Sequence, residues 1–274
     1  VPGVLRVTSR NARFQRWQAL LGSRNKRQRA GEFLVQGVRP ITLAARHGWR
    51  FRALIYDAER PLSQWAQGLL RGTGAAQVAM APALLAELGE KDEGPPELVA
   101  VVAMPGDDLH RLGPGGGFLG VVLDRPASPG NVGSIVRSAD ALGAHGVIVT
   151  GHAADIYDPR CVRASTGSLF ALPVVRAPGH REVAAWVAAR RARGCPVVLA
   201  AADEHGGRDV LDVDLTRPTL LIIGNEGTGL STAWRELSDV AVSIPMAGAA
   251  SSLNAANAAT VLLYEAARQR RARS

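Results

Sequence analysis

Residues Leu220–Glu265 read LLIIGNEGTGLSTAWRELSDVAVSIPMAGAASSLNAANAATVLLYE. Two apolar runs, Leu220–Ile223 and Val240–Ile244, have the length of buried strands, and each breaks abruptly into small and polar residues. The first gives way to Gly224-Asn225-Glu226-Gly227-Thr228-Gly229. The second runs from Pro245 through Ser251-Ser252-Leu253-Asn254. Proline has no N–H for a ladder bond, so the second strand should stop at Pro245. An alanine-rich pattern with helical spacing follows, ending in Leu262, Leu263, Tyr264 and Glu265. Strand ends that open into glycine-bearing loops are where α/β proteins bind ligands. Two such loops about twenty residues apart point to a binding site.

Upstream, the same alternation repeats. Phe118–Asp124 reads as a buried strand, Asn131–Leu142 as a helix stopped at Gly143, and Gly146–Thr150 as the next strand. A helical stretch near Val162–Leu169, a short strand at Leu172–Val175, a helix over Glu182–Arg193 and a strand at Pro196–Ala201 lead back to the opening stretch. Strand and helix in alternation predict an open, mostly parallel sheet with helices on both faces over residues 118–274. Residues 105–117 (PGDDLHRLGPGGG) have a linker's composition and read as a hinge. The GPGGG run precedes its strand, so it fails the context of a dinucleotide-binding loop. Residues 1–104 alternate in the same way, with strands expected at Glu32–Gly37, Ala53–Tyr56, Gln77–Met80 and Leu98–Met104. Helices are expected at Asn11–Leu21, from Pro40 to near Gly48, at Pro61–Leu70 and at Pro82–Leu88. That describes a small N-terminal α/β domain.

At 274 residues, 47% of them hydrophobic and 20% charged, the chain suits a globular protein. The start has no apolar core of a signal peptide, and no apolar run reaches the roughly 18–20 residues of a membrane span. Cys161 and Cys195 are too few for a disulfide framework and lack metal-ligand spacing, which fits a cytoplasmic protein without a metal site. The net charge is +8. Twelve basic residues lie between Arg6 and Arg52, with Glu32 as the one acid among them. Gly22–Arg29 within that segment reads as an exposed basic loop. Such density suits contact with phosphate backbones, and equally a solvated basic arm.

Three clusters could carry chemistry. In Asn131-x-Gly133-x-x-x-Arg137-x-Ala139-x-x-x-Gly143, Val132, Ile135, Ala139 and Leu142 share an apolar helix face. Gly133, Arg137 and Asp140 share a second, polar face, and Asn131 suits the N-cap. Arg137 could reach a bound phosphate, or simply pair with Asp140 on the surface. The loop Gly224–Gly229 is neither a Walker loop nor a GxGxxG fingerprint. Glu226 in it could meet a ligand or cap the helix expected near Ser231. The small residues from Ala247 to Ala250 allow close approach by a ligand or another segment. Each cluster alone is equally consistent with an ordinary turn or helix.

In this order and spacing, NxGxxxRxAxxxG, IIGNEGTGL and SIPM…SSLN together resemble the SpoU/TrmH family of RNA ribose 2′-O-methyltransferases. GEFLVQGVRPITLAAR, Gly31–Arg46, is similar to the opening of the substrate-binding domain that precedes the catalytic domain there. The resemblance covers nearly the whole chain, and arginine-rich actinomycete members that methylate 23S ribosomal RNA and confer antibiotic resistance are nearest in pattern. It implies a C-terminal trefoil knot, S-adenosylmethionine as cofactor, and a homodimer with the site at the subunit interface. It assigns cofactor contacts to Gly224, Ile244 and Leu253, with Asn225, Met246 and Ser252 beside them. Asn131, Arg137, Glu226 and Asn254 would surround the reacting centre. Arg163, in Arg163-x-Ser165-x-Gly167, would hold RNA phosphate, with Arg24, Lys26, Arg27, Arg29 and Arg39 in the basic segment. Arginine stays protonated, so Arg137 is expected to orient the phosphate beside the target ribose while that phosphate or a water takes the hydroxyl proton. Ala255-Ala256-Asn257-Ala258 departs from the Val-Ser-Val-Ala that relatives carry, removing a hydroxyl at Ala256. Transfer RNA is the alternative substrate, and a non-enzymatic RNA-binding protein or a nucleotide-binding oxidoreductase are the alternative classes. Removing residues through about Ala30 is expected to weaken RNA binding and spare cofactor binding.

Overall fold

A computed structural model describes residues 3–89, 95–113, 117–203 and 207–273. The chain divides into two compact units. One holds residues up to Pro105 together with Tyr157–Ala171, and the other holds Gly106–Ile156 with Leu172 onward.

The first unit begins with β1 (Leu5–Val7), α1 (Ala12–Gly22), α2 (Arg24–Ala30), β2 (Glu32–Gln36) and α3 (Val38–Arg46). It continues through β3 (Phe51–Asp57), α4 (Gln64–Gly72), β4 (Ala76–Met80), α5 (Pro82–Leu88) and β5 (Leu98–Ala103). The sheet order is β1-β4-β3-β5-β2; β1, β4 and β3 run parallel, and β5 runs antiparallel to both β3 and β2. Asn11 caps α1 through its side-chain oxygen, which accepts from the Arg13 and Phe14 amides. Phe14, Trp17 and Leu20 fall on one helix face and bury against Val7, Leu34, Ile55, Met80 and Val101. Burying side chains of this size stabilises by about 1.5–3 kcal/mol each.

The basic segment differs from the exposed loop that Gly22–Arg29 suggests. Ser23 caps α2 by accepting from the Lys26 amide, and Gly31, at φ 63°, ends it in the left-handed conformation. Arg27 is 2% exposed. Its Nη1 donates to the Leu20 and Leu21 carbonyls at 2.6 and 3.1 Å, satisfying the orphan end of α1, and its Nη2 lies 3.7 Å from Asp158. Glu32, the lone acid, sits 2.9 Å from Arg16 and 3.7 Å from Arg52. The sequence could not separate these arginines, because burial and pairing are tertiary facts.

The second unit opens with a 3-10 turn at Leu109–Leu112, then β6 (Leu119–Asp124), α6 (Pro129–Ala141) and β7 (Gly146–Thr150). The chain then contributes α7 (Pro159–Ala164) and α8 (Ser168–Ala171) to the first unit, where Phe33, Trp49, Tyr157 and Phe170 form an aromatic cluster. The second unit resumes with β8 (Val174–Ala177), α9 (His180–Ala192), β9 (Val198–Ala202) and β10 (Arg208–Asp209). It closes with β11 (Thr219–Ile223), α10 (Thr232–Leu237), β12 (Val240–Ser243) and α11 (Ala255–Arg271). Seven strands pair in parallel in the order β10-β12-β9-β11-β6-β7-β8. The core includes Phe118, Val122, Ile148, Trp186, Leu220, Ile222 and Trp234. The predicted parallel sheet is therefore present, with β10 added.

Residues 106–113 are not a free hinge. Leu112 is buried in the core of the second unit, Asp107 pairs with Arg176 at 2.6 Å, and Arg111 donates to the Gly106 carbonyl. The middle of the GPGGG run, residues 114–116, lies outside the described residues.

Candidate active site

The carboxyl ends of β9, β11 and β12 surround a cavity of about 420 Å³. Its wall is Gly224–Leu230 on one side and Ile244, Met246 and Ser251–Ala255 on the other, with Asp203 and Arg235 at the edge. All six residues expected to hold the cofactor line it: Gly224, Asn225, Ile244, Met246, Ser252 and Leu253. The loop after β11 folds back on itself, with amide–carbonyl bonds of 3.0 and 2.9 Å between Asn225 and Gly229. A Cβ at Gly224 would stand 2.5 Å from Gly229 C and Leu230 N, so only glycine permits this closure. The Asn225 side chain is committed within the structure: its oxygen accepts from the Gly227 and Thr228 amides, and its Nδ2 donates to the Arg125 carbonyl.

Glu226 joins the three sequence clusters. Its carboxylate accepts from the Ala127 amide at 2.9 Å, the Ser128 amide at 3.2 Å and Asn131 Nδ2 at 2.9 Å. Asn131 Oδ1 in turn lies 3.4 Å from Asn254 Nδ2, and Asn254 Oδ1 caps α11 by accepting from the Ala256 amide at 2.9 Å. Burial works to raise the Glu226 pKa, but the Ala127 amide, the Asn131 side chain and the Ser128 amide outweigh it and hold the carboxyl below its ordinary value.

Three local expectations change. The N-cap of α6 is Ser128, whose Oγ accepts from the Asn131 amide, so Asn131 is a first-turn residue with its side chain turned to Glu226. Glu226 does not cap the helix after Ser231; it caps the start of α6, about a hundred residues upstream. Gly133 is buried, so Arg137 does not share an exposed face with it. Arg137 is exposed, lies outside the cavity wall, and has no hydrogen-bond or ion-pair partner among the described residues.

The basic residues divide. Arg39 and Arg163 line one cavity of about 330 Å³ in the first unit, where Arg39 Nε donates to the Thr166 carbonyl at 3.2 Å. Lys26 and Arg29 are exposed on α2, and Arg24 is partly so. Arg27 is in the core and cannot present its guanidinium to RNA without unfolding α1 and α2. Asp203 and Arg235, 3.6 Å apart, carried no motif. The one available signal for Asp203 was an acid directly after a strand. Among the described residues no three His, Cys, Asp or Glu groups gather as a metal ion would require.

Residues 119–264 match the SpoU rRNA methylase family, and residues 11–100 match the SpoU L30e-like domain. The chain belongs to the SpoU rRNA methylase family. The 23S rRNA (uridine(2479)-2′-O)-methyltransferase of Streptomyces viridochromogenes is 68% identical over 269 residues, covering 98% of this chain and 94% of that one. The structure of the SpoU methyltransferase AviRb from the same organism, in complex with AdoMet, has a TM-score of 0.91 at 68% identity, over 95% of this chain and 98% of that one. An AdoMet-bound rRNA methyltransferase from Sinorhizobium meliloti matches with a TM-score of 0.85 at 29% identity, over 97% and 98%.

Proposed function

We propose that the protein uses S-adenosylmethionine to methylate a ribose 2′-hydroxyl of 23S ribosomal RNA, and that it does so as a homodimer in the cytoplasm. The observation that carries this reading is the hydrogen-bonded chain Glu226–Asn131–Asn254 beside the glycine-walled cavity. The 68% identical relative with that activity supports it. A cavity of about 420 Å³ with both apolar and polar walls suits a nucleoside-sized cofactor. The closed Gly224–Gly229 turn supplies backbone groups at close range.

The bound cofactor supplies an electrophilic methyl group. The residues of the chain do the rest by position. Gly224, Ile244 and Leu253 give main-chain contacts, with Asn225, Met246 and Ser252 completing the wall. Glu226 already accepts three N–H bonds and stays ionised, so it acts as the anchor of the loop, not as a base. The Asn131–Asn254 bond is the longest in the chain at 3.4 Å, which leaves Asn254 Nδ2 the donor most easily turned toward a ribose oxygen. Arg137, exposed and without a partner among the described residues, orients the phosphate next to the target ribose. The hydroxyl proton leaves to that phosphate or to water, and orientation with exclusion of water supplies the acceleration.

Arg39 and Arg163, together with Arg24, Lys26 and Arg29, are the proposed RNA contacts. Helix α11 exposes Val261 and Tyr264 on one face, which supports it as a dimer surface. Threading of the C-terminal segment into a trefoil knot belongs to the same proposal. No described helix is long and apolar enough to cross a membrane. A 2′-O-methyl group removes a hydroxyl donor and adds bulk, which is how the modification would confer resistance to a ribosome-targeting antibiotic. The test is incubation of 23S rRNA with the protein and methyl-labelled cofactor, followed by mapping of 2′-O-methyl positions. One labelled ribose is expected. Label on a base, or no transfer despite cofactor binding, overturns the proposal.

A further inference from the structure

Arg125 and Thr166 are the non-glycine residues with positive φ among those described, and Arg125, at φ 53°, stands at the end of β6. Any residue with a Cβ disfavours that conformation, so the surrounding structure must impose it. Three sets of contacts do so. The Arg125 amide donates to the Thr150 carbonyl at 3.0 Å, extending the β6–β7 ladder by one bond. Its carbonyl, swung round by the left-handed turn, accepts from Asn225 Nδ2 at 2.7 Å. Its guanidinium folds back to grip the buried Asp124 through Nε and Nη2, both at 3.0 Å, and Nη2 also reaches the Gly229 carbonyl at 3.3 Å. Asp124 Oδ2 accepts in addition from the Ser231 amide at 2.8 Å. A Cβ at Gly151 would lie 2.8 Å from Arg125 Cγ, so that glycine makes room for the folded arginine.

The loop after β11 is thus held at Asn225, Gly229 and Ser231 by two adjacent residues that do not themselves line the cavity. We propose that Arg125, clamped by Asp124, is a positioning residue that presets the Gly224–Leu230 wall for the cofactor. It acts through the loop and not by contact. A preset loop loses less conformational freedom on binding, so the effect belongs in cofactor affinity more than in turnover. The inference rests on the assignment of this cavity to S-adenosylmethionine.

Arg125→Gly is the informative variant. Glycine tolerates the left-handed backbone and keeps the carbonyl for Asn225, while the grip on Asp124 and Gly229 is lost. Calorimetric titration with S-adenosylmethionine, at a temperature where the variant is fully folded, should show Kd raised by about tenfold, while the unfolding midpoint falls because the buried Asp124 loses its partner. Turnover at saturating cofactor should stay within about twofold. Amide hydrogen exchange without cofactor should quicken across residues 224–231. Arg125→Lys, which keeps the charge without the fork, should fall between the two. Unchanged Kd and exchange in Arg125→Gly overturn the proposal. So does loss of turnover at saturation with Kd unaltered, which would place Arg125 at the reacting centre. If the parent itself binds no S-adenosylmethionine, the cofactor assignment fails, whereas the exchange measurement still decides whether Arg125 holds the loop.

Discussion

Glu226 shows how one carboxylate can set a loop's shape and give it a pH limit. Its carboxyl group is held below its ordinary value by the bonds from Ala127, Asn131 and Ser128. A depressed carboxyl stabilises the anchored loop above the unfolded pKa, near 4.5, and that contribution is lost as pH falls through the lower folded value. Cofactor affinity should therefore be flat around neutrality and decline in the acid range below about 4.5, as titration calorimetry across pH would record. Glu226→Gln keeps one acceptor but turns an NH2 group toward amides that need acceptors. Its affinity should drop about five- to tenfold at neutral pH, with the acid decline abolished. A variant that binds like the parent at both pH values would remove Glu226 from the anchoring role. The sequence marked Glu226 by its glycine surroundings but could not name its partners, because Ala127 and Ser128 lie about a hundred residues away. Arg27 was illegible for the opposite reason. It looks like its neighbours in charge, and only the packing of α1 on α2 separates it from them.

The central strands of the parallel sheet were legible because both their faces are covered, giving continuous apolar runs such as Leu220–Ile223, whereas the two polar residues of β10, Arg208–Asp209, form no such run. Helix α2 was missed because RNKRQRA has no apolar period; Ser23 and Gly31 define it by capping its two ends. Helix α11 was legible as a helix, but its fastening was not. Arg270 donates through Nε to the Leu215 carbonyl at 2.9 Å and through Nη2 to the Arg217 and Phe118 carbonyls at 2.7 and 3.1 Å, with a further bond from Nη1 to the Gly117 carbonyl. Gln269 adds a bond to the Val213 carbonyl and accepts from the Leu215 amide. One arginine thus satisfies four carbonyls around the start of β6 and the approach to β11. Asn254, at the other end of the same helix, joins the chain to Glu226. Arg270→Ala should lower stability by about 2–4 kcal/mol, read in denaturant unfolding followed by intrinsic fluorescence. Looser anchoring of α11 should reach Asn254, so cofactor affinity should also weaken. An unchanged midpoint would mean that water replaces all four bonds without loss.

Across the whole molecule, the +8 charge leaves open which basic residues meet RNA. Removing residues through Ala30 cannot answer that question as the sequence suggested. The deletion takes away β1, α1 and α2, and with them the buried Phe14, Trp17 and Leu20, so loss of RNA binding would follow from unfolding of the first unit. Charge changes on the intact fold separate the two causes. Lys26 and Arg29 are exposed on α2, so the double substitution Lys26→Gln, Arg29→Gln should leave unfolding unchanged. If both side chains sit on phosphates, the slope of log affinity against log salt concentration should shrink by about 0.7–0.9 per contact, nearly two in total for a duplex segment. Arg27→Met is the opposite case. Removing a buried guanidinium leaves the Leu20 and Leu21 carbonyls without their donor, so the first unit should lose about 2–4 kcal/mol of stability. At a temperature where the variant is still folded, its salt slope should match the parent's, since Arg27 neutralises no phosphate. A steep loss of slope in folded Arg27→Met would return this residue to the RNA surface. An unchanged slope in the Lys26, Arg29 double variant would move the contact away from α2, toward the cavity that holds Arg39 and Arg163.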